Sequence, residues 1–259
     1  LRLFAAKILS SFLRLFAAKH PLPLFAFSWL SIPMRTVLRK VTRPFAAFRD
    51  RADAGRALSR AVPPLRGAEP IVLAVPRGGV AVAAPLAEAL GAPLELMLVR
   101  KLPVPHSPEA GFGAVALDGQ VVLNEPLVRQ LGLSPERIDA IAEEVLAEVR
   151  RRAKEYTGRD RPPEVRGKQV YLVDDGLASG FTMIACARMV KACGPSRMTL
   201  CVPVSPHDSL RAVEPYFDDL CCLIEQAHPP FAVASFYEDF HDLTDDEVRA
   251  ILRKPENPA

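Results

Sequence analysis

Two consecutive carboxylates, Asp174 and Asp175, end an apolar run over 170–173 and are followed by Gly176, Ala178, Ser179, Gly180 and Thr182. A turn of small residues presents backbone N–H groups, and a helix opening beyond it adds unpaired donors and a positive dipole end. That combination suits an anion of phosphate size. Two acids beside a phosphate would repel it, so they need a different task. Carboxylates accept hydrogen bonds from vicinal hydroxyls and sit readily near Mg²⁺. A ribose 5-phosphate meets both demands, with its phosphate in the turn and its 2′- and 3′-hydroxyls on the acids. The lysine of a P-loop and a G-x-G-x-x-G fingerprint are both missing, so neither of those nucleotide sites fits.

Two further clusters share this character. Val75-Pro76-Arg77-Gly78-Gly79 sets a cation beside two glycines, whose backbone can approach a ligand closely. Arg100-Lys101 sets two cations after the apolar run 94–99. Each cluster follows a short apolar segment, wholly so at 71–75.

The elements that must carry these clusters are readable. Residues 50–62 and 80–90 have helical patterning, the second closed by Gly91. Segments 71–75 and 94–99 read as buried strands, and 114–117 with 121–123 as a hairpin turning at Asp118-Gly119. A long helix begins after Ser134 and Pro135, with Ile138, Ile141, Val145 and Val149 on one face. Then come strand 169–173, helix 180–193, strand 198–203, a helix near 209–213, strand 220–224 and a last helix from Thr244. Continuous apolar strands alternating with helices imply a doubly wound, mainly parallel α/β sheet covered on both faces. Ligands of such sheets bind beyond the carboxyl ends of the strands, where all three clusters fall.

The run VYLVDDGLASGFT, 170–182, resembles the signature with which type I phosphoribosyltransferases bind 5-phosphoribosyl-1-pyrophosphate (PRPP). The resemblance covers about residues 48–250 and implies that family's α/β fold with a C-terminal hood-like segment. It implies that Asp174 and Asp175 hold the ribose hydroxyls, touching Mg²⁺ only through those hydroxyls or water. Gly176, Ala178, Ser179, Gly180 and Thr182 would line the phosphate loop. Arg77, Gly78 and Gly79 resemble the pyrophosphate loop, and Arg100 and Lys101 would also reach the pyrophosphate. The Gly- and Pro-rich stretch 102–113, with His106 and Glu109, corresponds to the mobile catalytic loop. Residues 229–248 cluster Phe231, Phe236, Tyr237 and Phe240, either as a hood stacking on a nucleobase or as an edge segment packed on the core. Family members acting on 6-oxopurines carry an Asp where this chain has Ala178. At that point the chain resembles the adenine, orotate and uracil types, or a separate bacterial group. The implied activity is PRPP- and Mg²⁺-dependent transfer of a phosphoribosyl group to a nitrogen nucleophile such as a nucleobase. The alternative is a noncatalytic sensor of PRPP or nucleotides on the same fold.

The 259 residues, 49% hydrophobic and 24% charged, describe a folded globular chain. Residues 1–48 hold eight of the 33 Lys and Arg and none of the 30 Asp and Glu, so the remainder carries a net −5. A mildly acidic body is a poor footprint for nucleic acid. Segment 1–47 is therefore set apart as a basic apolar extension, and 48–255 as the domain. LRLFAAK occurs at 1–7 and again at 13–19, ahead of a proline-broken apolar stretch. This is expected to be an appended tail, or else a membrane-surface helix or targeting peptide. Arg14, Lys19 and the prolines interrupt any stable membrane span. Five cysteines without C-x-x-C spacing read as buried thiols of a cytoplasmic protein, and five scattered histidines give no zinc site. A homodimer is a further expectation.

Overall fold

The computed structural model describes residues 34–62, 67–105 and 107–253. Its first element, β1 (Met34–Val41), lies inside the stretch that composition sets apart as an extension. The break in compactness falls near residue 33 instead, with 33–259 forming one compact unit. Residues 1–33 lie outside the described part, and so do the repeats found there.

Helix α1 (Arg51–Ser59) starts where the side chain of Asp50 accepts a hydrogen bond from the Asp53 N–H at 2.7 Å. Strand β2 (Pro70–Ala74) feeds helix α2 (Gly78–Leu90), which ends at Gly91 in the left-handed region, φ 58°. Strand β3 (Leu94–Leu96) is short, because the chain leaves the sheet at Met97 and Leu98. It re-enters an antiparallel set of three: β4 (Val99–Val104), β5 (Ser107–Ala116) and β6 (Val121–Leu123). Helix α3 (Glu125–Leu131), capped by Asn124, is an element that the sequence pattern did not reveal. Helix α4 (Pro135–Thr157) has the foreseen Ser134 cap and buries Ile138, Ile141 and Val149, with Val145 half-buried. Strand β7 (Gln169–Val173), helix α5 (Phe181–Ala192), strand β8 (Arg197–Pro206), helix α6 (His207–Val213) and strand β9 (Asp219–Gln226) follow. Helix α7 (Asp245–Leu252) opens with a reciprocal capping box between Thr244 and Glu247.

The main sheet has the order β1-β9-β8-β7-β2-β3, and every pairing in it is parallel. Strands β7 and β9 are buried at every position, so helices and loops cover both faces. This is a doubly wound, mainly parallel α/β fold. The strand order reverses between β7 and β2, and the adjacent carboxyl ends open there as a crevice.

Stretch 102–113, expected as a loop, is most of a β-hairpin. On its other side, a Cβ on Gly113 would stand 2.4 Å from the Val122 carbonyl oxygen, so only glycine lets β5 approach β6 so closely. Pro103 falls where the β4–β5 register shifts, a position in which a strand tolerates a missing N–H. His106 and the side chain of Glu109 lie outside the described part.

Candidate functional site

The carboxyl ends of β2 and β7 are tied together by the Val75 N–H on the Val173 carbonyl, 2.9 Å. Beyond them lies a cleft of about 440 Å³. It is lined from β2 by Val75, Pro76 and Arg77, from the β3–β4 crossing by Leu98, Val99, Arg100 and Lys101, and from β7 and α5 by Asp174 and Thr182. Helix α4 closes it with Val149, Arg152 and Tyr156. All three clusters seen in the sequence thus contribute to one cavity, through Arg77, Arg100, Lys101, Asp174 and Thr182, while Gly78, Gly79, Asp175 and the turn 176–180 lie off its lining. Arg100 and Lys101 reach it from β4 of the hairpin rather than from the end of a parallel strand.

Glycine is required at 78 and 79 by close approach. A Cβ on Gly79 would lie 2.9 Å from the Val173 carbonyl oxygen, and one on Gly78 would lie 1.8 Å from Asp175 Oδ2. The start of α2 therefore rests directly on the end of β7. The bond between Pro76 and Arg77 is cis. Arg77 is half exposed, with Nη1 3.8 Å from Asp245 Oδ1. Arg100 Nη1 donates to Glu148 Oε1 at 3.1 Å.

The two acids face different surroundings. Asp174 lines the cleft, and its Oδ1 accepts the N–H of Asp175 at 2.8 Å. Burial, then the neighbouring Asp175 charge, pushes its carboxyl well above the ordinary aspartate range. Asp175 Oδ2 instead accepts from Arg51 Nε at 2.7 Å, and its carbonyl accepts from the Tyr237 hydroxyl at 2.6 Å. Burial raises the Asp175 carboxyl too, with Arg51 opposing it.

The turn after the acids is partly built in and partly open. Gly176 is buried against Val233, and the Leu177 N–H is spent on the Val204 carbonyl at 2.9 Å. Ala178 and Ser179 are exposed, and Gly180 opens α5 at φ 83°. The N-cap Gly180 offers no side-chain acceptor to the first turn of α5, whose N–H groups are donors of the kind an anion site uses. The hydroxyl of Ser209 on α6 donates to the Ala178 carbonyl and braces the turn from behind.

Several residues of the site gave no sequence signal. Arg51 looks like any arginine at a helix start. Tyr156 and Arg152 look like solvent-facing positions of α4. Tyr156 Oη meets Asp245, and burial with that contact pushes the phenol up to about 12. Phe236 and Tyr237 of the aromatic cluster are buried, and Tyr237 is held by a parallel bridge to Phe48, so they pack on the core. Phe240 lies under the Arg51 guanidinium, 3.8 Å from ring centroid to carbon.

The phosphoribosyl transferase domain family matches residues 51–237, most of this chain. The chain belongs to that family. Two Mycobacterium tuberculosis proteins, each provisionally named a phosphoribosyl transferase, are 42% identical to it over 206 residues. Those matches take in 79% of this chain and 46% of each relative, so the chain spans about half the length of the curated relatives it matches. The crystal structure of the TT1426 protein from Thermus thermophilus is 37% identical, with a TM-score of 0.65. That likeness covers 79% of this chain and 97% of the Thermus chain. The type I phosphoribosyltransferase fold that VYLVDDGLASGFT implies is therefore the fold of this chain, and Asp174, Asp175 and the turn to Thr182 occupy its β7–α5 connection.

Proposed function

We propose that this chain transfers the 5-phosphoribosyl group of PRPP to a nitrogen nucleophile, a nucleobase or similar acceptor, and releases pyrophosphate. The observation that carries the reading is the single cleft into which Arg77, Arg100, Lys101, Asp174 and Thr182 converge. Displacement at the ribose anomeric carbon breaks its bond to a pyrophosphate oxygen and forms a bond to nitrogen, whose proton leaves to solvent. Charge grows on the departing pyrophosphate, and Arg77, Arg100 and Lys101 are placed to stabilise it. The phosphate rests on the 178–182 turn and the start of α5, and Asp174 orients the sugar through its hydroxyls. Leu98, Val99 and Val149 give the wall an apolar strip beside Arg152 and Tyr156, which limits water at the cation-like sugar.

Mg²⁺ belongs to this proposal. The ion would be carried on the substrate's own oxygens, as Mg²⁺ commonly is with substrate phosphates. Asp174, on the cleft wall, would touch it only through a ribose hydroxyl or water. When bound, Mg²⁺ would neutralise the pyrophosphate. We place the activity in the cytoplasm, consistent with free, buried Cys186, Cys201, Cys221 and Cys222. Among the described residues no helix is long and apolar enough to cross a membrane.

The test is pyrophosphate release from PRPP with Mg²⁺ across adenine, hypoxanthine, guanine, xanthine, uracil and orotate. Release with at least one base supports the transferase. PRPP binding without release on any base favours the sensor.

A further inference from the structure

Arginine is almost never buried unless its charge is matched, yet the side chain of Arg51 is only 8% exposed. Its contacts come from two parts of the chain far from it in sequence. Nε donates to Asp175 Oδ2 at 2.7 Å, Nη1 donates to the His241 carbonyl at 2.7 Å, and the guanidinium covers Phe240. Gly78 closes the remaining side, since a Cβ there would fall 1.8 Å from Asp175 Oδ2 and 3.0 Å from Arg51 Nε. The Asp175 Oδ2 is thus enclosed by Arg51 and the start of α2. The Tyr237 hydroxyl fixes the Asp175 backbone from the carbonyl side. The N–H of that fixed residue is the donor that orients Asp174 Oδ1. A chain of contacts therefore runs from Arg51 through Asp175 to Asp174, and only its last member lines the cleft.

We infer that Arg51 is a positioning residue that holds Asp175 in the scaffold and leaves Asp174 as the carboxylate that meets the sugar hydroxyls. The inference rests on the phosphoribosyl reading, and it divides between the two acids a task that their adjacency in sequence assigns to both. Stability alone does not require the charged pair, because well-packed apolar groups of similar volume commonly serve as well. What matters to the site is that no unmatched charge lies beside the Asp175 backbone that aims Asp174.

The experiment compares calorimetric binding of ribose 5-phosphate and of inorganic pyrophosphate, with melting temperatures, in wild type and four variants. Asp174→Asn is expected to weaken ribose 5-phosphate about tenfold or more, the scale of a lost charge-assisted hydrogen bond, while pyrophosphate changes less than about twofold. Loss of both ligands together would mark a merely structural effect and overturn the assignment. Asp175→Asn is expected to weaken ribose 5-phosphate by less than about threefold. Arg51→Met is expected to weaken it about tenfold, because an unmatched Asp175 charge disturbs the backbone beneath Asp174. Arg51→Met with Asp175→Asn removes both charges and should return affinity to within about threefold of wild type. Equal losses in the two Asn variants, neither melting below wild type, would overturn the inference. So would a double variant as weak as Arg51→Met. Should Arg51→Met not fold, the contrast between Asp174→Asn and Asp175→Asn still decides. Wild type binding neither PRPP nor ribose 5-phosphate would overturn the functional reading itself, a result distinct from binding with the wrong pattern of losses.

Discussion

At the scale of single residues, the site is assembled against the interests of the fold. Asp174 is held where burial and the charge of Asp175 raise its carboxyl. A group whose folded pKa lies above its unfolded value costs stability as pH climbs from the unfolded pKa through the folded one. Asp174→Asn should therefore raise the melting temperature relative to wild type, with a difference that widens from about pH 4 upward. Melting curves across that range would check it, and a variant less stable than wild type at neutral pH would refute it. The cations carry a second expectation. In the proposed reaction Arg77 and Lys101 would face the leaving pyrophosphate, whose charge grows in the transition state and is absent from a nucleotide product. Arg77→Ala or Lys101→Ala should lower kcat roughly 100-fold, the scale for losing a preorganised donor. Product-nucleotide affinity should change little, and single-turnover pyrophosphate release beside nucleotide titration separates the two effects. If either variant loses only affinity, the sensor reading gains. Arg51 was invisible beforehand for a physical reason: its partner Asp175 lies 124 positions away, and nothing local marks an arginine whose charge will be buried.

Elements announced by their own local chemistry were legible. Ser134 and Pro135 start α4, Gly91 ends α2, and Asp118-Gly119 turns β5 into β6, each through a preference that acts within a few residues. The buried strands were legible because a parallel sheet asks for unbroken apolar runs. Strand β1 was not, since its Arg35, Arg39 and Lys40 read as part of a basic tail, and an edge strand needs no apolar run. The hairpin β4–β5 was hidden by Pro103 and its glycines, which read as loop until cross-strand pairing fixes them. Glycine at helix contacts is equally silent in sequence. A Cβ on Gly55 of α1 would stand 2.2 Å from the Val82 carbonyl oxygen of α2, a backbone atom that cannot swing aside. Gly55→Ala should cost about 1–3 kcal/mol despite the better helix propensity of alanine, as overpacking does. Denaturant unfolding would show it as a lower midpoint at an unchanged slope. A stabilised Gly55→Ala protein would mean that α1 moves freely over α2.

For the molecule as a whole, the question is where the folding unit begins. The family match starts at residue 51, and the compositional boundary falls after 47, yet β1 pairs along most of its length with β9. Glu225 near the end of β9 is 2% exposed and has Arg35 at 2.9 Å, Lys40 at 3.5 Å and His207 at 2.5 Å. Burial alone would raise the Glu225 carboxyl, but the His207 contact and the two β1 cations bring it below the ordinary glutamate range. Removing β1 takes away both cations from a buried carboxylate and opens the outer edge of β9. Breaking such a pair costs about 3–5 kcal/mol, and at about 2–4 °C per kcal/mol for a domain of this size the loss is at least ~6 °C. A chain begun at Pro33 should therefore unfold in one cooperative transition, and a chain begun at Phe48 should melt at least ~6 °C below it. The deficit should also narrow in acid, because a lowered carboxyl stabilises the fold above its unfolded pKa and loses that contribution as pH falls through the folded value. Thermal melts of the two chains at neutral and acid pH decide the matter. Equal melting temperatures at neutral pH would make β1 an ornament on a domain that begins at the family boundary. A deficit that did not change with pH would assign the loss to strand pairing rather than to Glu225.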